Sequence, residues 1–202
     1  TDPTGQTAGV GALRLRWFPS NSLSLWSWGI LDENDFLSFG GRAELSSDIG
    51  EWGFSVHHDP SDSLRSVGQS GTWIQQSHNR FAVDFRYDGF IGFWNESVLI
   101  MSNESEIGLI TIGADYTVPL GSGVFVMAEF MHSTNQTILD TSSKNFTAFM
   151  ASVPLGMIHQ IMFISQVNWK ENHAYHYIRW SATYDRFSLN FILSMNPKRD
   201  DY

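Results

Sequence analysis

From Phe187 to Met195 every odd position is large and apolar. These are Phe187, Leu189, Phe191, Leu193 and Met195, and Ser188, Asn190, Ile192 and Ser194 stand between them. A period of two is the signature of a β-strand whose faces meet different surroundings. The same pattern recurs upstream. Phe81, Val83, Phe85 and Tyr87 oppose Ala82, Asp84 and Arg86, and Leu13, Leu15 and Trp17 oppose Ala12, Arg14 and Arg16. Leu37, Phe39, Gly41, Ala43 and Leu45 oppose Ser38, Gly40, Arg42 and Glu44, and Ile110, Ile112, Ala114, Tyr116 and Val118 oppose Thr111, Gly113, Asp115 and Thr117. Ala174, His176, Ile178, Trp180, Ala182 and Tyr184 oppose Tyr175, Tyr177, Arg179, Ser181 and Thr183. These apolar faces hold no Lys, Arg, Asp or Glu.

Twelve strands are expected, at roughly 10–18, 22–31, 36–45, 51–58, 80–87, 90–101, 107–118, 124–133, 145–153, 157–168, 174–184 and 187–195. Most reach the length of about 9–11 residues that a tilted strand needs to cross a hydrocarbon layer, whereas strands of water-soluble domains peak at about five or six. The connections fall into two sets. Tight ones lie at Phe18–Asn21, Ser46–Gly50, Tyr87–Phe90, Pro119–Gly123, Pro154–Gly156 and Tyr184–Phe187, with Gly, Pro, Asn and Asp where turns need them. Polar and often longer ones lie at Asp32–Asp35, Asp59–Asn79, Ser102–Glu106, Ser133–Lys144 and Lys170–His173. Val118-Pro119-Leu120-Gly121 recurs one hairpin later as Val153-Pro154-Leu155-Gly156, one turn design used twice.

Aromatic residues gather beside the tight turns: Trp17, Phe18, Tyr87, Phe90, Tyr116, Tyr184 and Phe187. Rings at one rim are expected of an interfacial girdle. Only 16% of the residues are charged, against about 25% in soluble domains. The formal net charge of −9 argues against a nucleic-acid partner, which needs clustered Lys and Arg. Cys is absent, which removes disulfides and thiolate chemistry. No run of 18 apolar residues exists, so no transmembrane helix is expected.

Charged residues on the polar faces are the candidate pore-lining set: Arg14, Arg16, Arg42, Glu44, Asp84, Arg86, Asp115, Glu129 and Arg179. Such side chains either set ion preference in a pore or bridge to one another and plug it. Three places depart from simple alternation. Trp26-Ser27-Trp28-Gly29-Ile30 invites a bulge, Val98-Leu99-Ile100-Met101 is apolar throughout, and Phe125, Met127 and Met131 share a face with Glu129. Ile192 and these residues suggest a protein element packed on part of the polar face. His57-His58-Asp59 with Ser61 raises a metal site or hydrolase, but adjacent residues of a strand point to opposite faces and do not chelate together. No catalytic, cofactor or metal residue is therefore assigned.

The stretch Gly11 to Pro19, Thr111 to Tyr116 with the following Val-Pro-Leu-Gly turn, and the closing hairpin from Tyr175 to Met195 resemble bacterial outer-membrane β-barrel proteins of the porin-like type. The resemblance implies a bacterial outer-membrane location, a lipid bilayer as partner, and a transport or structural role. Members of that class usually finish on a strand ending in an aromatic residue. Here Pro197 stops the last strand and Lys198 to Tyr202 follows.

The expectation is one domain over residues 1–202, with a polar segment at 1–9 and a charged tail at 196–202. Its fold is all-β, an antiparallel up-and-down transmembrane β-barrel of about twelve strands, either closed at twelve or part of a larger barrel. A start at Thr1 without Met fits a processed protein or a piece of a longer one. The expected function is a channel for small polar solutes or ions, without enzymatic chemistry. A plugged structural or assembly barrel is the alternative, with an envelope protein or a further copy as partner. An outer-membrane hydrolase near His57 and Ser61 is third.

Overall fold

A computed structural model describes residues 11–32, 34–61, 65–67, 72–138 and 140–197. The segment 1–9 and most of the tail lie outside the described residues. Strands β1 (Gly11–Ser20), β2 (Leu23–Leu31), β3 (Leu37–Ser47) and β4 (Gly50–Asp59) open the chain. Two short strands follow, β5 (Arg65–Val67) and β6 (Thr72–Ile74). Then come β7 (His78–Asp88), β8 (Gly92–Ser102), β9 (Ser105–Val118), β10 (Val124–Thr137), β11 (Thr141–Leu155), β12 (His159–Asn168), β13 (His173–Thr183) and β14 (Ser188–Met195). Twelve of these form one up-and-down antiparallel sheet in the order β1-β2-β3-β4-β7-β8-β9-β10-β11-β12-β13-β14, and β5 pairs with β6 in a sheet of its own. No helix among the described residues is long and apolar enough to cross a membrane.

All twelve expected strands stand in the sheet, with ends shifted by a few residues. The differences have physical causes. The polar stretch 133–144 is mostly strand, because β10 and β11 run for 14 and 15 residues and leave only residues 138–140 between them. Where both faces are polar, alternation vanishes from the sequence while the backbone ladder continues. The β5–β6 hairpin, in a stretch expected to be loop, has strands of 3 residues, too short to carry a period. The segment Trp26 to Ile30 holds no bulge, for it pairs continuously with β3. The irregularity lies instead between Trp17 and Ser20, beside Pro19, a residue that cannot donate to a ladder.

The expected closure into a barrel is not seen. β1 and β14 stand at the two ends of the strand order, each paired on one side only. Alternation within a strand specifies its faces, not the partner of its free edge.

The repeated turns are built alike. Gly121 and Gly156 both take the left-handed conformation, with φ of 59° and 69°, where a side chain is disfavoured. An added Cβ would meet nothing within 4 Å at either position, so backbone conformation and not space selects glycine there.

The chain divides into two compact units. The first comprises residues 1–85, 96–109 and 134–142. Its buried apolar cluster is Ile74, Ile100 and Ile107, with Val98 and Leu109 packed against it. The apolar run at Val98 to Met101 thus contributes to a small core on which β6 rests. The second comprises residues 86–95, 110–133 and 143–202. Its one buried residue with an apolar side chain, among those described, is Ala182.

The alternation becomes two faces of the sheet. In the first unit one face carries Leu13 and Leu15 of β1, Phe39 of β3 and Phe54 of β4, all exposed. In the second, Ile161 is paired with Trp180 and Phe163 with Ile178, while Trp180 is paired with Phe191 and Ile178 with Leu193. Leu13 is 67% exposed and Phe191 66%. Such values are unusual for residues of this size in water, where contiguous apolar patches above a few hundred Å² are rare.

Candidate functional site

The polar face of β1, β2, β3, β4 and β7 carries a connected set of side chains whose members, up to Asp84, all lie in the first unit. Register places its members in three transverse rows, one of which runs Ser24, Glu44, Gly53. In another, Arg16 faces Trp26, Trp26 faces Arg42, and Arg42 faces Ser55. In the next, Arg14 faces Trp28, Trp28 faces Gly40, and Gly40 faces His57. Trp26 and Trp28 therefore lie among the arginines, while Leu25, Ser27, Gly29 and Leu31 take the other face. Read as apolar residues they blurred the alternation; read as partners of arginine they restore it.

Arg42 is the hub. Its Nη1 and Nη2 donate to the two carboxylate oxygens of Asp84, each at 2.7 Å. Its Nε donates to Glu44 at 2.9 Å, and Nη1 also donates to Ser55 Oγ at 3.0 Å. The fork of the guanidinium matches a carboxylate in this geometry, and such charge-assisted bonds are the strong ones. Glu44 is held further by the Ser24 hydroxyl at 2.8 Å and approached by Arg16 at 3.6 Å. Ser24 in turn accepts from Trp26 Nε1 at 3.1 Å.

Arg42 stands on β3 and Asp84 on β7, with β4 between them. Gly53 on β4 makes the crossing possible. A Cβ built there would overlap both the guanidinium and the Asp84 carboxylate. The same device serves Trp28. Its ring lies over Gly40, where a Cβ would come within 2.6 Å of it, and its Nε1 donates to His57 Nδ1 at 3.1 Å. In the second unit Trp94 lies over Gly113 in the same way. Each long side chain reaches across a strand whose glycine leaves the path clear.

Two arginines converge on Trp26. The Arg16 guanidinium carbon is 4.1 Å from the ring centroid, and that of Arg14 is 5.0 Å away. A cation within about 6 Å of an indole face is attracted by its quadrupole. Arg16 also lies 4.6 Å from the ring of Phe18. Phe18 thus sits over the polar face, whereas Trp17 belongs to the apolar face.

The remaining expected residues do not join this cluster. Arg86 pairs with Asp88 of its own strand at 3.0 Å, both well exposed. Asp115 lies over Gly92, where a Cβ would come within 2.6 Å of its carboxylate. Glu129 belongs to β10. Arg179 is paired with Met162 and Ile192, and its Nε is buried without a hydrogen-bond partner. Among the girdle aromatics, Phe90 and Tyr116 meet at 5.0 Å and Tyr184 and Phe187 at 4.7 Å. Tyr87 lies over Gly89. Each of these groups sits at the turn end of its strand.

His57 and His58 point to opposite faces, as adjacent strand residues do. His57 stacks with Trp28, and His58 contacts Phe39 with Nδ1 2.9 Å from Asn79 Oδ1. Ser61 is buried, its amide donating to Asp59 at 3.0 Å. His78, also buried, accepts from Arg80 Nε at 3.0 Å and places Nδ1 2.9 Å from the Gln76 carbonyl. That pair of contacts describes a neutral imidazole with its proton on Nδ1.

Sequence reasoning found the charged members of the cluster and missed Ser24, Trp26, Trp28, Gly40 and Gly53. The available signal was the spacing of Trp26 and Trp28, both even-numbered like Arg14 and Arg16. No family model, curated protein or solved structure matches the chain.

Proposed function

We propose that the chain forms the wall of a transmembrane β-barrel in a bacterial outer membrane and passes small polar solutes or ions along its polar face. One observation carries the reading. The sheet displays large apolar side chains on one face, while its buried apolar residues, among those described, are Ile74, Ile100, Ile107 and Ala182. A twelve-stranded sheet in water needs a second layer over its apolar face. Acyl chains supply that layer without further protein, and each buried Leu or Phe then contributes about 1.5–3 kcal/mol. Unpaired strand edges are not tolerated in hydrocarbon, so this reading requires the free edges of β1 and β14 to be paired. Twelve is an even number, so β1 and β14 run antiparallel and closure at twelve is permitted.

The polar face supports a conducting interior through Arg14, Arg16, Arg42, Glu44 and Asp84, fixed side chains with both charges present. A second reading, a plugged or assembly barrel, is favoured by one specific feature. Beside Arg179 the polar face carries Met162 and Ile192, which suit contact with a protein element better than water.

Planar-bilayer recording of the purified protein tests the proposal. Discrete conductance steps are expected. Protein that resists carbonate extraction from membranes yet conducts nothing would point to the plugged barrel. Protein that stays monodisperse in detergent-free buffer and ignores vesicles would refute both.

A further inference from the structure

Three features of the molecule bear on a ligand. The cavity of about 610 Å³ between Gln76, Glu104 and Asn135 has amide oxygens of Gln76 and Asn135 without partners, but these atoms are sealed from the cavity itself. The imidazoles of His159 and His176 lie on the apolar face, stacked against Trp180 and Phe163, on the side that the channel reading gives to lipid, and no further polar group of the described residues joins them. The third feature, the Arg14–Trp26–Arg16 group, goes further.

We infer that Arg14 and Arg16, both resting on the Trp26 ring, form a binding step for small anions on the polar face, and that the proposed channel favours anionic over cationic solutes. The inference rests on the channel reading and adds to it the class of solute. Arg14 has no acidic partner among the described residues; its contact is the ring of Trp26. Arg16 is only loosely paired, 3.6 Å from a Glu44 oxygen that Ser24 also engages, while Arg42 holds the other oxygen of the same carboxylate. Asp84 is taken up in bidentate fashion by Arg42. Within this cluster Arg14, Arg16 and Arg42 stand against Glu44 and Asp84, while Arg80 and Arg86 are balanced by Glu51, Asp59 and Asp88 elsewhere on the same strands; Arg14 is the guanidinium of the cluster that meets no carboxylate among the described residues.

Contact with the ring leaves these arginines able to bind. A guanidinium resting on an indole keeps its in-plane N–H donors available at its edge, and those donors match the oxygens of a carboxylate or phosphate. The residues are two apart on one strand face, a spacing of about 7 Å along the strand. Both side chains are well exposed, and Arg16 remains 43% exposed, so an anion reaches them without rearrangement. Overall acidity of the chain does not oppose this, because charges beyond about 10 Å are screened at ordinary ionic strength.

Reversal potentials in a potassium chloride gradient test the inference. The wild-type protein is expected to pass chloride in preference to potassium. R14Q/R16Q should move the reversal potential toward potassium, and R14K/R16K, which keeps the charge, should retain the wild-type sign. R14Q alone breaks no ion pair and serves if the double variant does not fold. Potassium preference in the wild type, or an unchanged reversal potential in R14Q, overturns the inference while leaving the channel intact. If no conductance is found, the channel reading fails, and the anion site is read separately by iodide quenching of fluorescence, taking Trp26 as the difference between wild type and W26F. Quenching by iodide should exceed that by caesium and fall about threefold for each guanidinium removed, from Coulomb attraction at water-like dielectric. Equal quenching by the two ions would overturn the site.

Discussion

Placing one methyl group at Gly53 tests the hub of the polar cluster. The backbone of Gly53 is not left-handed, so alanine meets no conformational objection there. In an unobstructed strand, Gly→Ala stabilises by about 0.5–1 kcal/mol through reduced backbone entropy of the unfolded chain. Here the new Cβ overlaps the Arg42 guanidinium and both Asp84 oxygens. Arg42 must withdraw, and its two 2.7 Å bonds to Asp84 are lost. A hydrogen bond to a charged group contributes about 1.5–3 kcal/mol when well sheltered. The Arg42 and Asp84 side chains are 28% and 37% exposed, so water recovers part of that loss. Setting the bridge at about 2–3 kcal/mol after this discount and the entropy gain against it, G53A should cost about 1–2 kcal/mol.

The decisive comparison is a double-mutant cycle. In a D84A background the bridge is already gone and Arg42 is free to swing aside. G53A should then be neutral or stabilising by up to about 0.5–1 kcal/mol. Urea unfolding in the lipid or detergent that keeps the protein folded, followed by tryptophan fluorescence, reads all four stabilities. Two outcomes refute the reasoning: G53A without cost in the wild type, or the same cost in the D84A background. Either would mean that Arg42 does not depend on the empty space above β4.

Gly121→Ala and Gly156→Ala should each cost about 1–2 kcal/mol, because both positions are left-handed with open space around them; Asn at either position should recover most of the loss in the same unfolding assay, and a neutral alanine would show that the turn relaxes. Ile178→Arg, in the middle of β13 on the apolar face, should destabilise by about 2–4 kcal/mol in a bilayer, whereas a change within about 0.5 kcal/mol, as at ordinary water-facing positions, would remove lipid from that face.

The strands were legible because each side chain's surroundings repeat every second residue. Phe187 to Met195 and Phe81 to Tyr87 announce themselves by that rule alone. Legibility failed where the rule has no purchase. From Ser133 to Asn145 the end of β10 and the start of β11 are polar on both sides, and β5 and β6 are too short to show any period. Trp26 and Trp28 misled for a chemical reason: an indole counts as apolar in a hydropathy pattern, yet it hydrogen-bonds through Nε1 and receives cations on its ring. The partners in space were least legible of all. Arg42 and Asp84 share a face with many other charges in the sequence, and what selects their pairing is the missing side chain of Gly53 on the strand between them.

That dependence on glycine has a consequence for how the polar face holds its shape. Arginine and tryptophan are long, and on an unobstructed face each could adopt many rotamers at a cost in entropy when ordered. Gly40, Gly53 and Gly113 replace that freedom with a groove of one residue's width, into which a single tryptophan settles at Gly40 and Gly113 and the Arg42–Asp84 pair at Gly53. The settled side chain then covers glycine backbone that would otherwise stand open, and so restores sheet packing that glycine alone gives up. A strand glycine that is unfavourable by itself becomes favourable as a seat. The arrangement also divides the arginines into two kinds. Arg42, seated over Gly53, is committed to Asp84 and Glu44, while Arg14 and Arg16, with no such seat, stay available to meet what passes over them.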